Sequence, residues 1–304
     1  MASLDKKIDF AVIFSVERAN PNGDPLNGNR PRTDYNNFGE VSDVCIKRKI
    51  RDRLQEAKEN IFVQSDEKKI DGLPSLRARA EDEKHGLGPN IFKVAKGDFG
   101  AQENIIKKAC ERWFDVRAFG QIFAYKGSGK KTKKQKGDDA HDGGTGETDS
   151  GDGISIPIRG AVSIQSAISV EPVSITSTQI TKSTSGEGDG VKKSSDTMGM
   201  KHRVDKGIYF FFGSMNPQLA EKTGFSNEDA EVLKGVLPKL FENDASSARP
   251  EGSIRVNHVF WWKHNSKAGQ FSSGRVHESL KVLADGKYEL SDLEGLRPEI
   301  IPGF

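Results

Sequence analysis

The sequence contains little cysteine, with only Cys45 and Cys110 among its 304 residues. So few thiols exclude a disulfide-stapled scaffold and are typical of a reducing compartment. The sequence also lacks any run approaching the roughly 20 apolar residues that a membrane-spanning helix needs, and residues 1–9 contain no signal-like apolar run. We therefore expect a cytoplasmic protein without a membrane partner.

Signatures of catalysis and metal binding are scarce as well. The six histidines form no HExxH pattern and the cysteines no CxxC pair, so we expect no metal ion and no other cofactor. No GxSxG nucleophile elbow is present. Asp24, Asp34 and Asp115 could hold a metal for phosphodiester cleavage, but we interpret the first two as turn formers and the third as a strand-edge partner of an arginine. We therefore expect no enzymatic activity.

Polar and basic residues are concentrated in one stretch, although the net charge of the chain is only +2. Residues 19–34, ANPNGDPLNGNRPRTD, predict a loop rich in turns because of their Asn-Pro, Asn-Gly and Asp-Pro pairs. Ser42 is the predicted N-cap of a helix over residues 43–57. The predicted apolar stripe of this helix consists of Ile46, Ile50, Leu54 and Ala57.

A second face of this helix carries Lys47, Arg48 and Arg51. A charged helix face is usually only solvated. Between residues 44 and 53, however, five cations meet a single acid, Asp52, and the preceding loop adds two arginines. This local excess of positive charge favours the binding of a polyanion.

The rest of the pattern predicts an α+β fold. Residues 7–17 alternate with period two, which predicts a half-buried strand, and residues 176–203 predict a long β-hairpin arm. Further strands are predicted over residues 114–125 with a bend at Gly120, over 154–168 with a kink at Gly160, over 207–213 and over 253–264. Helices are predicted over residues 103–113 and over 226–243, the second kinked at Pro238.

A strand that leads through a loop into a helix is how a ferredoxin-like or RRM-like βαββαβ core begins. We therefore predict a single elaborated RRM-like domain over residues 1–304, with insertions at about 60–112, 126–153 and 172–204. Residues 126–153 are nearly free of apolar side chains, which predicts a mobile low-complexity loop. The tail after the last strand predicts one more hairpin and no chemistry.

Several separate motifs resemble one protein family. They are ANPNGDP at 19–25, PRTD at 31–34, VSDVCIKRKIR at 41–51, FDVRAFG at 114–120 and TMGMKH at 197–202. In these residues the chain is similar to the backbone subunit of type I CRISPR surveillance complexes (Cascade), closest to the type I-C branch.

The resemblance implies an RRM-like palm, an inserted fingers region at about 60–112 and a β-hairpin thumb at 172–204. Copies of the chain are expected to stack along a CRISPR RNA and to present the guide for pairing with target DNA. The other expected partners are the large subunit and the subunit that binds the 5′ handle of the guide. The predicted RNA contacts are Arg18, Asn20, Asn22, Arg30, Arg32, Ser42, Lys47, Arg48, Lys49, Arg51, Gln165, Met198, Met200, Lys201 and His202.

Two other functions stay open at this point. The first is a metal-dependent ribonuclease, since related backbone proteins of other CRISPR types cut target RNA with an acidic loop residue. The second is an RNA-binding module that acts alone.

Overall fold

The computed structural model describes residues 2–93, 98–125, 154–181 and 198–304. The segment predicted as a mobile loop, 126–153, and residues 182–197 of the predicted arm lie outside these described residues.

The described chain alternates strands with helices. Its strands are β1 (Ile8–Ala19), β2 (Gly23–Asp24), β3 (Arg30–Pro31), β4 (Phe38–Val41), β5 (Gly120–Tyr125), β6 (Ile154–Arg159), β7 (Val162–Ile164), β8 (Ala167–Pro172), β9 (Ile175–Thr181), β10 (Met198–Met215), β11 (Ile254–Lys263), β12 (Leu280–Val282), β13 (Tyr288–Leu290) and β14 (Glu299–Pro302). Its α-helices are α1 (Asp43–Glu56), α2 (Leu76–Glu81), α3 (Phe99–Arg112), α4 (Phe114–Phe119), α5 (Pro217–Thr223), α6 (Asn227–Val236) and α7 (Ser273–Glu278).

A large antiparallel sheet dominates this mixed α/β fold. Its strand order is β14-β11-β1-β10-β8-β4, and β7 and β9 also pair with β10. β1 lies between β10 and β11 and runs antiparallel to both. The first residues of β10 pair with β9, from Met198 opposite Thr181 to Val204 opposite Ile175. This pairing confirms the two limbs of the predicted arm.

β1 is buried on both faces, so the prediction of a half-buried strand was wrong. Its residues Ile8 to Val16 at even positions pack in the main core, which also contains Ile46, Ile50 and Leu54 of α1 and residues of α6. Ala57, the fourth residue of the predicted stripe, is exposed at the C-cap of α1. Ala11 and Ile13 on the opposite face lie in another core, together with Val276 of α7 and Leu280 of β12. The C-terminal segment therefore covers part of the second face of the sheet.

A further core lies in the region predicted as an insertion at 60–112. Phe62 packs against Trp113 and Phe123 with ring centroids 4.6 and 5.2 Å apart. This core joins α3 to the β5–β6 hairpin, since buried residues of all three elements belong to it. The region thus has apolar packing of its own beside the central sheet.

Three predictions about single elements need correction. Residues 114–119 form α4 and not a strand, and only 120–125 are extended, as β5. Residues 154–168 are divided among β6, β7 and the first residues of β8, with a break at Gly160, where an added Cβ would lie 2.3 Å from the carbonyl oxygen of Ala118. The helix predicted over 226–243 ends at Val236, because Pro238 lies in a 3₁₀ turn, Leu237–Lys239.

No helix in the described ranges is long and apolar enough to cross a membrane.

Candidate nucleic-acid interface

The polar loop is fixed to the start of α1 by two predicted contact residues. Asn22 Oδ1 accepts hydrogen bonds from the backbone N–H and the hydroxyl of Ser42, each at 3.0 Å. Ser42 Oγ in turn accepts from the N–H of Cys45, so it is the N-cap that the sequence predicts. Asn20 is 2% exposed and donates to the carbonyl of Asn29 at 2.7 Å. Asn20 is therefore too buried to contact RNA, and that prediction was wrong.

Lys47 and Arg48 lie on the outer face of α1, but both are paired with carboxylates. Lys47 Nζ lies 2.9 Å from Asp43 Oδ2. Arg48 contacts Asp52 at 3.0 Å and Asp244 at 3.2 Å, with 36% of its side chain exposed. Asp52 is the only acid between residues 44 and 53, as the sequence shows, but Asp43 and Asp244 outside that range also pair with these cations. The Lys47–Asp43 pair is partly exposed and exchanges partners at low cost, so Lys47 remains available to a phosphate, whereas the two carboxylates that hold Arg48 are themselves buried.

Lys49 and Arg51 point into the protein. The Lys49 side chain is 1% exposed and its ammonium pairs with Asp244. Arg51 Nε donates to Asp115 Oδ2 at 2.9 Å, and its side chain is only 12% exposed. Lys49 cannot reach RNA from this position, so that prediction was wrong, and the contacts of Arg51 hold α1 against α4.

Burial and pairing act in opposite directions in the Lys49–Asp244 pair. Burial lowers the pKa of Lys49, while Asp244 opposes this change. Burial also acts to raise the pKa of Asp244, but Lys49, Arg249 and Arg48 outweigh it and hold that pKa below its usual value. The carboxylate is therefore charged in the fold and is fixed by the cations around it.

An open cleft lies at the base of the β9–β10 arm. It has a volume of about 470 Å³ and is lined by Glu17, Arg18, Thr178, Ile180, Lys201, Arg203, Pro250, Glu251, Gly252 and Ser253. Arg18 and Lys201, two of the predicted contact residues, meet there although they come from distant parts of the chain. Within the described ranges neither side chain has a hydrogen-bond or ion-pair partner.

The backbone at Arg18 is unusual. Its φ of +52° lies in the left-handed region, which residues other than glycine rarely adopt. Arg18 also falls between two regular strand pairs, Glu17 with Lys206 and Ala19 with Val204. Conformations of this kind are concentrated at functional sites, where surrounding structure maintains them.

Arg203 is a cleft residue that the sequence prediction missed. It follows Lys201 by two positions on β10, and side chains two apart in a strand share one face. Applied to the predicted arm, this alternation rule could have identified Arg203 from the sequence. Its Nε is buried without a hydrogen-bond partner in the described structure, and the nearest carboxylate oxygen, of Asp205, is 3.6 Å away.

The opposite face of the arm carries Met198, Met200 and His202. The two thioether side chains are 58% and 56% exposed. His202 Nδ1 lies 2.8 Å from Ser177 Oγ on β9. Alternation along β10 therefore separates two chemistries, with cations toward the cleft and methionines on the other face.

Residues 6–295 match the family of the CRISPR-associated protein Cas7. The chain belongs to the Cas7 family. A CRISPR-associated protein Cas7 of Haloferax volcanii is 26% identical over 305 aligned positions, which cover 96% of this chain and 83% of that protein. This membership confirms the predicted resemblance to CRISPR backbone subunits at the level of the family, and the type I-C branch stays a prediction.

Two solved structures are similar to this Cas7 chain. One, titled "CRISPR RNA-guided surveillance complex, pre-nicking", has a TM-score of 0.47 and 16% identity and covers 84% of this chain and 75% of its own. The other, titled "CRISPR RNA-guided surveillance complex", has a TM-score of 0.43 and 13% identity and covers 92% of this chain and 77% of its own.

The remaining predicted contacts of this Cas7 chain do not line the cleft. Arg30 belongs to the β2–β3 hairpin and has no side-chain partner in the described ranges, while Arg32 lies 3.6 Å from Asp24. Gln165 is exposed, and its N–H donates to the carbonyl of Phe212. These three residues stay predictions for RNA contact.

The acids considered for metal binding have structural partners. Asp24 Oδ1 accepts from the N–H of Leu26, and Asp34 Oδ1 accepts from the N–H groups two and four residues ahead. Both are turn formers, as predicted. Asp115 pairs with Arg51 as expected, although it lies in α4 and not on a strand. In the described ranges no three acids, histidines or cysteines are grouped so that they could hold a metal ion.

Proposed function

We propose that this Cas7 chain is the CRISPR RNA-binding backbone subunit of a type I surveillance complex, closest to type I-C. Copies would line up along the guide and present it for pairing with target DNA. One observation carries this proposal: Arg18 and Lys201 converge, unpaired within the described structure, on an open cleft at the base of the arm. Membership of the Cas7 family supports the CRISPR context.

The chemistry of the cleft suits a backbone subunit. Such a subunit must accept any guide sequence, so it should hold phosphates and sugars and leave the base edges free to pair. Arginine and lysine bind phosphate without regard to sequence. On the other face of the arm, Met198 and Met200 add exposed apolar side chains that can pack against bases of any identity.

The strand order supports an RRM-like palm. The four strands β11-β1-β10-β8 lie in this order, and α1 and α6 lie in the connections before β8 and before β11. This order and these connections support the βαββαβ arrangement that the sequence predicts. We assign the region at 60–112 to the fingers and that at 172–204 to the thumb, and we expect the large subunit and the 5′-handle-binding subunit as partners.

Salt dependence of RNA binding tests the proposal. Arg18→Ala and Lys201→Ala should weaken binding equally for two unrelated RNA sequences. Each should also reduce the slope of log affinity against log salt by about 0.7 or less, the contribution of one phosphate on a single strand. Lys281→Ala is the control, because this lysine is 69% exposed and pairs with Glu289 on the β12–β13 hairpin, which does not line the cleft. An unchanged slope in both cleft variants, or a loss confined to one RNA sequence, would contradict the assignment.

A further inference from the structure

The cleft holds two carboxylates beside its three cations. Glu17 and Glu251 both line it, and both are exposed. Their side chains have no ion-pair or hydrogen-bond partner among the residues that the structure describes. A carboxylate next to a phosphate is repelled by it, so a site that binds phosphate alone gains nothing from these two residues.

The two carboxylates are held on one connected piece of structure. The N–H of Glu17 donates to the carbonyl of Ser253 at 2.8 Å, which joins the end of β1 to the turn that carries Glu251. That turn is closed by the N–H of Ser253, which donates to the carbonyl of Pro250 at 3.0 Å. Gly252 supplies the left-handed φ of +71° that the turn requires. Glu17 and Glu251 are therefore placed by the same backbone contacts, opposite the arm.

A carboxylate in a nucleic-acid site needs a hydrogen-bond donor. Phosphate oxygens only accept, and the donors on base edges differ from one base to the next. The ribose 2′-hydroxyl, which DNA lacks, is therefore the one donor that every RNA nucleotide offers to a site that binds all sequences. The cations of the cleft bring the phosphate close, so the sugar lies within reach of groups beside it.

We propose that Glu17 and Glu251 accept hydrogen bonds from ribose 2′-hydroxyl groups, so that this cleft selects RNA over DNA. The proposal rests on the proposed function, since it assumes that the cleft holds a nucleic-acid backbone. It adds a selection against deoxyribose, made by two residues that phosphate binding does not use. Arg18, Lys201 and Arg203 supply affinity, and the two carboxylates supply the choice of sugar.

The test compares three oligonucleotides of one sequence: RNA, DNA and 2′-fluoro RNA. The 2′-fluoro sugar keeps an RNA-like pucker but has no donor, so it separates hydrogen bonding from helix shape. The wild-type protein should prefer RNA over both others. In Glu251→Ala and in Glu17→Ala the preference for RNA should fall by about tenfold, the effect of one hydrogen bond to a charged acceptor. Glu289→Ala, which removes an equal charge from the β12–β13 hairpin, should leave the preference unchanged.

Each alternative result has a definite meaning. If both Ala variants bind RNA, DNA and 2′-fluoro RNA more tightly by the same factor, the carboxylates act only by repulsion and the proposal is wrong. If 2′-fluoro RNA binds the wild type as well as RNA does, the hydroxyl is not a donor there and the proposal is wrong too. If neither the wild type nor Glu289→Ala binds any RNA, the proposed function itself fails. Thermal unfolding of each variant checks that these exposed substitutions leave the fold intact.

Discussion

Lys47 and Lys49 are two positions apart on one helix and have different roles. Lys47 is partly exposed and pairs with Asp43, whereas Lys49 is 1% exposed and pairs with the buried Asp244. Removing one member of a buried pair leaves an uncompensated charge, while removing an exposed cation costs little. The difference arises because the helix face decides which lysine meets solvent.

We expect Lys49→Ala to lower the free energy of unfolding by on the order of 3 kcal/mol. Arg48 and Arg249 also contact Asp244 and limit the loss. The matched control, Lys47→Ala, should lower it by about 0.5 kcal/mol or less. Urea unfolding of both variants measures the difference, and equal midpoints would contradict the structural role of Lys49.

The sequence predicted the local features of α1 and missed the distant ones. Ser42 and the buried stripe of Ile46, Ile50 and Leu54 follow from short-range rules, and the structure confirms them. The partners of Lys49 and Arg51 lie 195 and 64 residues away along the chain. Counting charges inside one helix cannot detect acids that the fold brings to it. For this reason the predicted contact set included the buried Lys49, whereas Arg203 could have been identified from the local alternation along the arm.

At the scale of elements, α4 shows why short apolar segments are ambiguous. Phe114, Val116 and Ala118 are buried at every second position, a pattern that predicts a strand. The buried Asp115 between them accepts N–H groups of Phe62 and Val63 at 2.7 and 3.0 Å. These contacts to another segment stabilise the helical turn. No local pattern contains them.

Substitution by alanine should change stability in opposite directions at two glycines, Gly160 between β6 and β7 and Gly235 in α6. In Gly160→Ala the new Cβ would lie 2.3 Å from the carbonyl oxygen of Ala118 and 2.4 Å from the N of Gly120, both backbone atoms. We expect a loss of about 1–3 kcal/mol, the usual cost of overpacking. Gly235 lies inside α6 with nothing within 4 Å of an added Cβ, so Gly235→Ala should gain about 0.5–1 kcal/mol. If chemical unfolding shows that both variants gain stability or that both lose it, the tight packing inferred at Gly160 is contradicted.

A buried polar cluster attaches the C-terminal cover to β1. Asp9 is 0% exposed, and its Oδ2 lies 2.9 Å from His264 Nε2 and 3.2 Å from Lys7 Nζ. His277 Nε2 of α7 lies 3.7 Å from the other oxygen. Burial lowers the pKa of His277, although Asp9 opposes the change. The folded protein therefore binds fewer protons at His277 than the unfolded chain in the range below the ordinary histidine pKa.

This difference has a defined sign in a pH titration. As the pH falls below about 6.5, the ordinary pKa of histidine, the unfolded chain takes up a proton that folded His277 resists, so stability falls with it. The loss should level off below the folded pKa. His277→Gln should remove this part of the pH dependence of stability. Measuring the free energy of unfolding of the wild type and of the variant from pH 8 to pH 5 isolates it as the difference between the two curves. Parallel curves over that range would contradict a lowered pKa at this site.

At the scale of the whole molecule, the sequence predicted the α+β class and most strands of the sheet. It did not predict that the tail covers the second face of β1. The covering residues Val276, Leu280, Leu293 and Leu296 come from α7, from β12 and from the segment between β13 and β14, and no single period connects all four. Their role depends on the sheet face opposite them, which is formed by strands far away in the chain.

The last prediction concerns assembly of many copies. Met198 and Met200 are more than half exposed on the arm, so Met198→Ser with Met200→Ser should change the free energy of unfolding by only about 0.5 kcal/mol or less for each substitution. Binding to an RNA long enough for one copy should stay near wild type, because the cleft cations lie on the other face of the arm. If the thumb packs over RNA held by a neighbouring copy, assembly on a longer guide should collapse, seen as loss of the high-mass species in size exclusion with light scattering. Ile122→Ser, which alters another exposed apolar side chain at 62% exposure on the β5–β6 hairpin, is the control. Full assembly of the double variant on the long guide would show that the methionine face of the arm does not take part.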